Sequence, residues 1–322
     1  MRLVKNLCRI IVGIVFIYSG FVKGIDPLGS DYKFTDYFNA FGMGWMNATT
    51  LFFSFALSLV EFLIGIALLF NLWVSRMAWG SLLFMAFFTP LTLVLALTNP
   101  VSDCGCFGDA MILTNWQTFW KNIILLLLAI MIFMYRKEYK SSLPLVGQFS
   151  FLALAGAGML CLSVYCYRHL PVLDFRPYAV GKNITEGMRL PEGAEPDQYE
   201  VTLKYKNKQT GEVQSFTEEN YPWQDTLNWE YESSSERLVK KGYITPIHDL
   251  VIEHPTLGNI TEEILEDDNH TILAVAYNLT QSDVQYQPAI NRLAEYAQEK
   301  GIRFYGLTSS SERDIETYKK RY

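Results

Sequence analysis

Beyond Cys166 the chain has no cysteine, so no disulfide framework can hold its second half together. Long apolar runs are also missing after about residue 167. The four histidines, His169, His248, His254 and His270, show no metal-ligand spacing, and no metal site is expected. There is no P-loop, no dinucleotide fingerprint and no Ser-His-Asp pattern, so nucleotide-dependent and serine-hydrolase chemistry have no motif to rest on. Lys and Arg number 27 against 33 Asp and Glu, a net charge of −6. With the second half acidic, nucleic acid is not an expected partner.

What is present falls into two unlike halves, which a mean hydropathy of +0.11 conceals. Five apolar runs, near 5–22, 49–71, 76–98, 116–135 and 149–167, are each long enough to cross a bilayer as a helix. The first keeps Tyr18, Phe21 and Lys23 where a signal peptide would be cleaved, so it is expected to stay as a helix. If the N-terminus is cytoplasmic, Arg2, Lys5, Arg9, Arg76, Arg136, Lys137 and Lys140 lie inside. Only Lys23 and Lys33 lie outside, with Lys121 ambiguous. That asymmetry satisfies the positive-inside rule. A multi-pass protein of the cell (inner) membrane is expected, with its C-terminal part periplasmic or otherwise extracytoplasmic.

Residues 103–109 read D-C-G-C-F-G-D, in a loop between two apolar runs on the outer side. Cys104 and Cys106 have three readings there: a dithiol–disulfide pair, two ligands for a soft metal, or inert thiols in a turn. Bridging them closes a very small ring, and strained, exposed disulfides are the labile, oxidising ones. Gly105 has no Cβ and lets the chain turn tightly enough for the two to meet. Asp103 and Asp109 are expected to hold the thiols neutral.

Glu61 sits mid-way along the second run, where an ionised carboxylate must be paired, protonated or hydrated. It lies about 18 Å deep at 1.5 Å per residue, so a direct bridge to Lys23 at the outer end of the first run is not expected. Gly13, Gly20 and Gly65 read as close-packing positions between helices. Trp116, Phe119 and Trp120 read as an interfacial aromatic belt. Cys166, near the outer end of the fifth run, is a candidate relay thiol; Cys161 cannot pair with it on an intact helix. Cys8 reads as inert.

The stretch G-I-V-F-I-Y-S-G-F-V-K-G-I-D-P (13–27) resembles the opening of DoxX-type and MauE-type membrane proteins. The Glu61 run with Gly65 and the D-C-G-C-F-G-D loop resemble MauE, the methylamine utilisation protein, over about residues 1–135. The resemblance implies a helical bundle tied to thiol–disulfide handling outside the cytoplasm and to maturation of a protein partner. Carried over by position, Cys104 and Cys106 are the redox candidates, with Lys23, Asp26, Glu61, Asp103 and Asp109 as accompanying polar positions. The fifth run and the long second half depart from that pattern and tell against a methylamine substrate.

In the second half, residues 200–206 and 212–217 alternate like strands around an Asn207–Gly211 turn, a hairpin signal. Tyr221, Trp223, Trp229 and Tyr231 read as packing residues. A strand at 271–277, a helix near 285–300 and a strand at 303–308 make a βαβ unit. That order resembles the opening of a thioredoxin-like domain, yet Asn278-Leu279-Thr280-Gln281 stands where such proteins carry Cys-x-x-Cys. The chain stops at Tyr322, before the closing strands, so this domain is expected to be incomplete.

The expected fold is thus an α-helical membrane bundle of five transmembrane helices (1–167), a hairpin-containing extension (168–245) and an α/β thioredoxin-like region without redox cysteines (246–322). The first functional reading is thiol–disulfide handling: a labile Cys104–Cys106 disulfide oxidises or matures a partner, with a quinone as the candidate electron acceptor. The alternative is a non-catalytic membrane anchor or assembly factor whose second half binds a partner protein.

Overall fold

The computed structural model describes residues 2–101, 103–195, 198–217, 220–223, 225–240, 242–243, 245–247, 250–267 and 269–321. His248 lies outside them. The chain forms two units, residues 1–180 and 181–322.

The first unit is helical. Helices α1 (Arg2–Ile25), α2 (Pro27–Ala40), α3 (Thr50–Leu69), α4 (Val74–Thr98), α5 (Asn115–Met134) and α6 (Leu145–Arg168) follow one another. Five stretches are long and apolar enough to cross a membrane: Leu3–Ile25, Gly44–Leu69, Val74–Thr98, Asn115–Met134 and Leu145–Arg168. In a bilayer only a helix satisfies its own backbone in isolation, so each apolar run takes that form. Helix α2 was not expected, because residues 27–40 mix polar and aromatic side chains without a clear period. Its start is nevertheless encoded locally: Pro27 occupies the first turn, and the Asp26 side chain accepts a hydrogen bond from the Gly29 N–H at 3.0 Å.

The tightest contact in the bundle joins α1 to α3. A Cβ on Gly65 would stand 2.5 Å from the Ile17 nitrogen, and one on Gly20 would stand 2.5 Å from the Phe62 nitrogen. Both positions demand glycine, so the two backbones touch. At the carboxyl end of α3, Arg9 donates to the carbonyl oxygens of Leu68 and Leu69. Those carbonyls have no partner within the helix, and the helix dipole favours a cation beside them. On the opposite side of α3, the Gln148 side chain accepts from the Trp73 N–H at 2.8 Å and donates to the Leu143 carbonyl at 2.8 Å, which ties the α3–α4 turn to the start of α6.

The second unit begins with α7 (Ile184–Met188). Strands β1 (Gln198–Asn207), β2 (Val213–Thr217) and β3 (Trp229–Lys240) form an antiparallel sheet in the order β2-β1-β3. The hairpin expected from the Asn207–Gly211 turn is present, with Gly211 at φ +75°. Strand β3 takes in Trp229 and Tyr231, which were expected only as packing residues; its polar run 232–236 concealed it. A two-residue pair, β4 (Glu253–His254) and β5 (Gly258–Asn259), leads to α8 (Thr261–Leu265). Strand β6 (Thr271–Val275), α9 (Gln287–Lys300) and β7 (Arg303–Leu307) then form the expected βαβ unit with parallel strands, followed by α10 (Glu312–Arg321). Ile252, Ile260 and Ile264 are the buried centre of this region. A lone βαβ unit is common to many α/β folds, so it does not by itself single out a thioredoxin-like one.

The backbone contact between α1 and α3 makes the bundle sensitive to one methyl group. Gly65→Ala should destabilise the purified protein by about 1–3 kcal/mol in detergent thermal melts. Gly158→Ala on α6, where a Cβ would meet nothing within 4 Å, should leave the melt within about 0.5 kcal/mol of wild type.

Candidate functional site

The loop between α4 and α5 carries the two cysteines. Asn99 ends α4 at φ +46°, and the Asn115 side-chain amide donates to Asn99 Oδ1 (2.8 Å) and to the Val101 carbonyl (2.9 Å), which pins the two ends of the loop together. Within it Gly105 adopts φ +62°, a conformation other residues rarely take. Asp103 folds back on the turn: one carboxylate oxygen accepts from the Gly105 N–H (2.8 Å), and the other pairs with Lys33 of α2 (2.7 Å). The cysteine carbonyls are held from below. Ser19 on α1 donates to the Cys106 carbonyl at 2.7 Å, and the Tyr37 hydroxyl on α2 donates to the Cys104 carbonyl at 2.8 Å.

The thiols themselves are free, with sulfurs 2.8 Å apart. The disulfide expected from the motif is therefore not the state described; a bond would need about 2.05 Å. The Gly105 turn brings the sulfurs side by side, and a sulfur–sulfur hydrogen bond takes the place of the strained small ring. This contact divides the two residues electrostatically. The Cys106 thiol is pulled below the ordinary range, first by the hydrogen bond from Cys104 and then by the charges of Lys121 and Lys23, against the cost of burial. Cys104 moves the opposite way, held protonated by its bond to Cys106 and by burial. The expectation that Asp103 and Asp109 would keep both thiols neutral does not hold for Cys106. Asp103 is engaged by Lys33, and the cations Lys121 and Lys23 favour the Cys106 thiolate, with the Glu61 carboxylate opposing them. Burial pushes the Asp109 carboxyl above the usual carboxylate range.

Beneath the loop lies a cavity of about 230 Å³ between α1, α2, α3, α4 and α5, with the two cysteines in its wall. Phenylalanines recur in the lining, among them Phe84 and Phe88, stacked with ring centroids 4.4 Å apart. Lys23 and Glu61 are buried in the same wall and form a direct ion pair at 2.6 Å. The sequence argument against that bridge measured depth from the end of the second run and so missed the helix register. Because Gly20 lies beside Ser58 and Phe62, Lys23 is level with the turn just above Glu61. One turn, about 5.4 Å, is within reach of a lysine stem. Glu61 Oε2, also buried, has no hydrogen-bond partner among the described residues.

The other candidate residues fall as follows. Asp26 caps α2. Cys166 is buried on α6 at 2% exposure and is not part of the cavity wall. Cys8 is buried, with its sulfur 4.0 Å from Met131 Sδ, and Cys161 is exposed. Ser19 lies in the 13–27 stretch without having been singled out, and Tyr37, Lys33 and Lys121 belong to the site but to no motif. Their local signal is the Asp26-Pro27 helix start, which puts Lys33 and Tyr37 one turn apart on α2. Among the described residues, no group of three or more Cys, His, Asp and Glu is gathered as a metal cluster.

The family model of the methylamine utilisation protein MauE matches residues 1–135. Over that segment the chain is similar to MauE. The MauE-like segment takes in α1 to α5 and the cysteine loop, and it stops before α6. A second model, a domain of unknown function (DUF8463), matches residues 199–241, the region of the β2-β1-β3 sheet. No curated protein and no solved structure matches the chain. Its membrane unit is multi-pass, with the bilayer as its environment.

Two outcomes follow from this geometry. Lys23→Met should cost about 3–5 kcal/mol by thermal unfolding, because it leaves Glu61 buried and unpaired. The double variant Lys23→Met, Glu61→Gln should regain most of that loss. Alkylation of the reduced protein should show one thiol reacting with a midpoint below about pH 7.5, the upper limit for thiols beside cations. Its thiolate fraction rises as pH climbs through that midpoint. Lys121→Met should move the midpoint upward, and Cys104→Ala should move it further.

Proposed function

We propose that the protein is a membrane thiol–disulfide carrier that oxidises a partner dithiol outside the cytoplasm through Cys104 and Cys106. The observation that carries this reading is the pair of adjacent free thiols with opposed acidities over an apolar cavity. In the oxidised protein, a partner thiolate attacks Cys104 Sγ and the Cys104–Cys106 bond breaks. Cys106 leaves as the thiolate, the better leaving group because its pKa is the lower. The second partner thiolate then attacks the partner sulfur of the mixed disulfide and expels Cys104, which takes up a proton. The partner gains one disulfide, and the protein is left as the dithiol. Lys121 and Lys23 stabilise the departing charge on Cys106 throughout. Similarity to MauE over the same segment supports this reading, since that resemblance implies thiol–disulfide handling and maturation of a protein partner. Asp26 caps α2 and Asp103 ties the cysteine turn to Lys33, with Asp109 beside the loop and Cys166 the candidate relay.

The reading also places the N-terminus in the cytoplasm and the cysteine loop and second unit outside the inner membrane, on the charge asymmetry of the loops. Residues 1–167 then act as the redox unit, with 168–245 and a thioredoxin-like 246–322 as the appended region that meets the partner.

Cys106→Ser in intact cells tests both points. It should accumulate a mixed disulfide on Cys104, formed as the reverse of the second exchange when Cys104 attacks the partner's disulfide and expels one partner thiolate. The product is visible as a reducible higher band, and Cys104 should react with a membrane-impermeant maleimide after reduction. Cys104→Ser should accumulate about tenfold less, since the mixed disulfide forms on Cys104. If neither variant traps a partner and the doubly substituted protein retains full function, the role is that of a non-catalytic anchor or assembly factor. Labelling only after lysis would invert the topology.

A further inference from the structure

Resting on that thiol-exchange reading, we propose that the cavity beneath the Cys104–Cys106 loop binds a lipid-soluble quinone, which accepts the two electrons of the dithiol. Three independent features of the cavity converge on this class of ligand. The first is shape. Its walls are largely apolar and rich in phenylalanine, Phe84 and Phe88 among them, and the exposed Phe41 and Phe87 bring the lining to the surface of the bundle. A ligand that arrives from the bilayer fits these walls better than one from water.

The second feature is an unmet polar demand. Glu61 is 3% exposed and its Oε2 has no partner among the described residues, although a buried oxygen without a hydrogen bond is costly. A lipid acyl chain would fill the apolar space and leave that oxygen unpaired. A quinone answers both members of the Lys23–Glu61 pair. Its carbonyl oxygens accept from the Lys23 ammonium, which keeps further donors after the bond to Glu61 Oε1. Its reduced form, the quinol, offers hydroxyls that donate to Glu61 Oε2. The same pair therefore receives the oxidised and the reduced ligand.

The third feature is placement. Cys104 and Cys106 share the wall of this cavity, so donor and acceptor meet without a relay thiol. The step balances. The two sulfurs lose two electrons and form one S–S bond, with the Cys104 proton released and Cys106 already ionised. The quinone gains two electrons and two protons to become the quinol, one proton coming from Cys104 and the other from solvent. Lys23 and Glu61 are positioning residues in this scheme: they orient the ring and do not exchange electrons.

The test uses the full-length protein in lipid nanodiscs, reduced, freed of reductant and mixed anaerobically with decylubiquinone. Quinone absorbance and free thiols are followed together, and exchange with glutathione disulfide is measured in parallel. The wild type should reduce one quinone per protein as two thiols disappear. Glu61→Gln and the cavity-filling Leu57→Trp should each slow that reduction about tenfold or more. With the Cys104→Ser, Cys106→Ser protein, which cannot donate electrons, decylubiquinone should still bind and raise the melting temperature, and Leu57→Trp added to it should abolish the rise. Thiol exchange without quinone reduction or binding would overturn this inference and leave the carrier reading standing. Failure of both reactions would overturn both. Quinone reduction indifferent to Glu61→Gln and Leu57→Trp would remove the cavity as its site.

Discussion

The close approach of α1 and α3 is the constraint on which the site depends. Because Gly20 and Gly65 carry no side chain, the two backbones touch, and that contact fixes how far one helix is shifted along the other. The shift sets Lys23 one turn from Glu61 and lets two buried charges neutralise each other at 2.6 Å. A looser contact would leave a carboxylate alone in an apolar bundle, a state that low dielectric makes prohibitive. The pair lies in the cavity wall, and among the described residues it leaves one buried carboxylate oxygen without a hydrogen-bond partner.

The cysteine loop is attached to the same framework. Ser19 of α1 and Tyr37 of α2 hold the two cysteine carbonyls, and Lys33 of α2 holds Asp103. The thiols thus sit on side chains from two helices rather than on a free turn, and the Gly105 turn presses their sulfurs together. That contact makes the pair chemically unequal: one sulfur keeps its proton and the other is inclined to lose it. Unequal thiols give an exchange reaction a direction, because one is the better leaving group and the other is left to be attacked. Burial alone would have raised both.

The second unit contributes no thiol, and its three small sheets surround no cysteine chemistry of their own. Its match to a domain of unknown function covers the β2-β1-β3 sheet, whereas the βαβ region that resembles a thioredoxin-like opening lies outside that match. Any thiol chemistry must therefore reside in the membrane unit. This division agrees with the composition, which puts every cysteine among the first 166 residues.

Apolar run length determined the five membrane helices by itself, since a bilayer admits few other conformations for some twenty apolar residues. The Asn207–Gly211 turn and the strand–helix–strand order were legible for a similar reason: they rest on neighbours in sequence. The Cys-Gly-Cys loop could be singled out but not its oxidation state, and Asp103 and Asp109 suggested the wrong electrostatics because sequence proximity concealed the cations of α1, α2 and α5. Helix α2 lacked an apolar period, and β3 was masked by serine and glutamate, so both were settled by partners far along the chain. The Lys23–Glu61 pair was the largest miss. Depth along a single helix is readable from residue number, but the register between two helices is not, and only the packed glycine contact decided it.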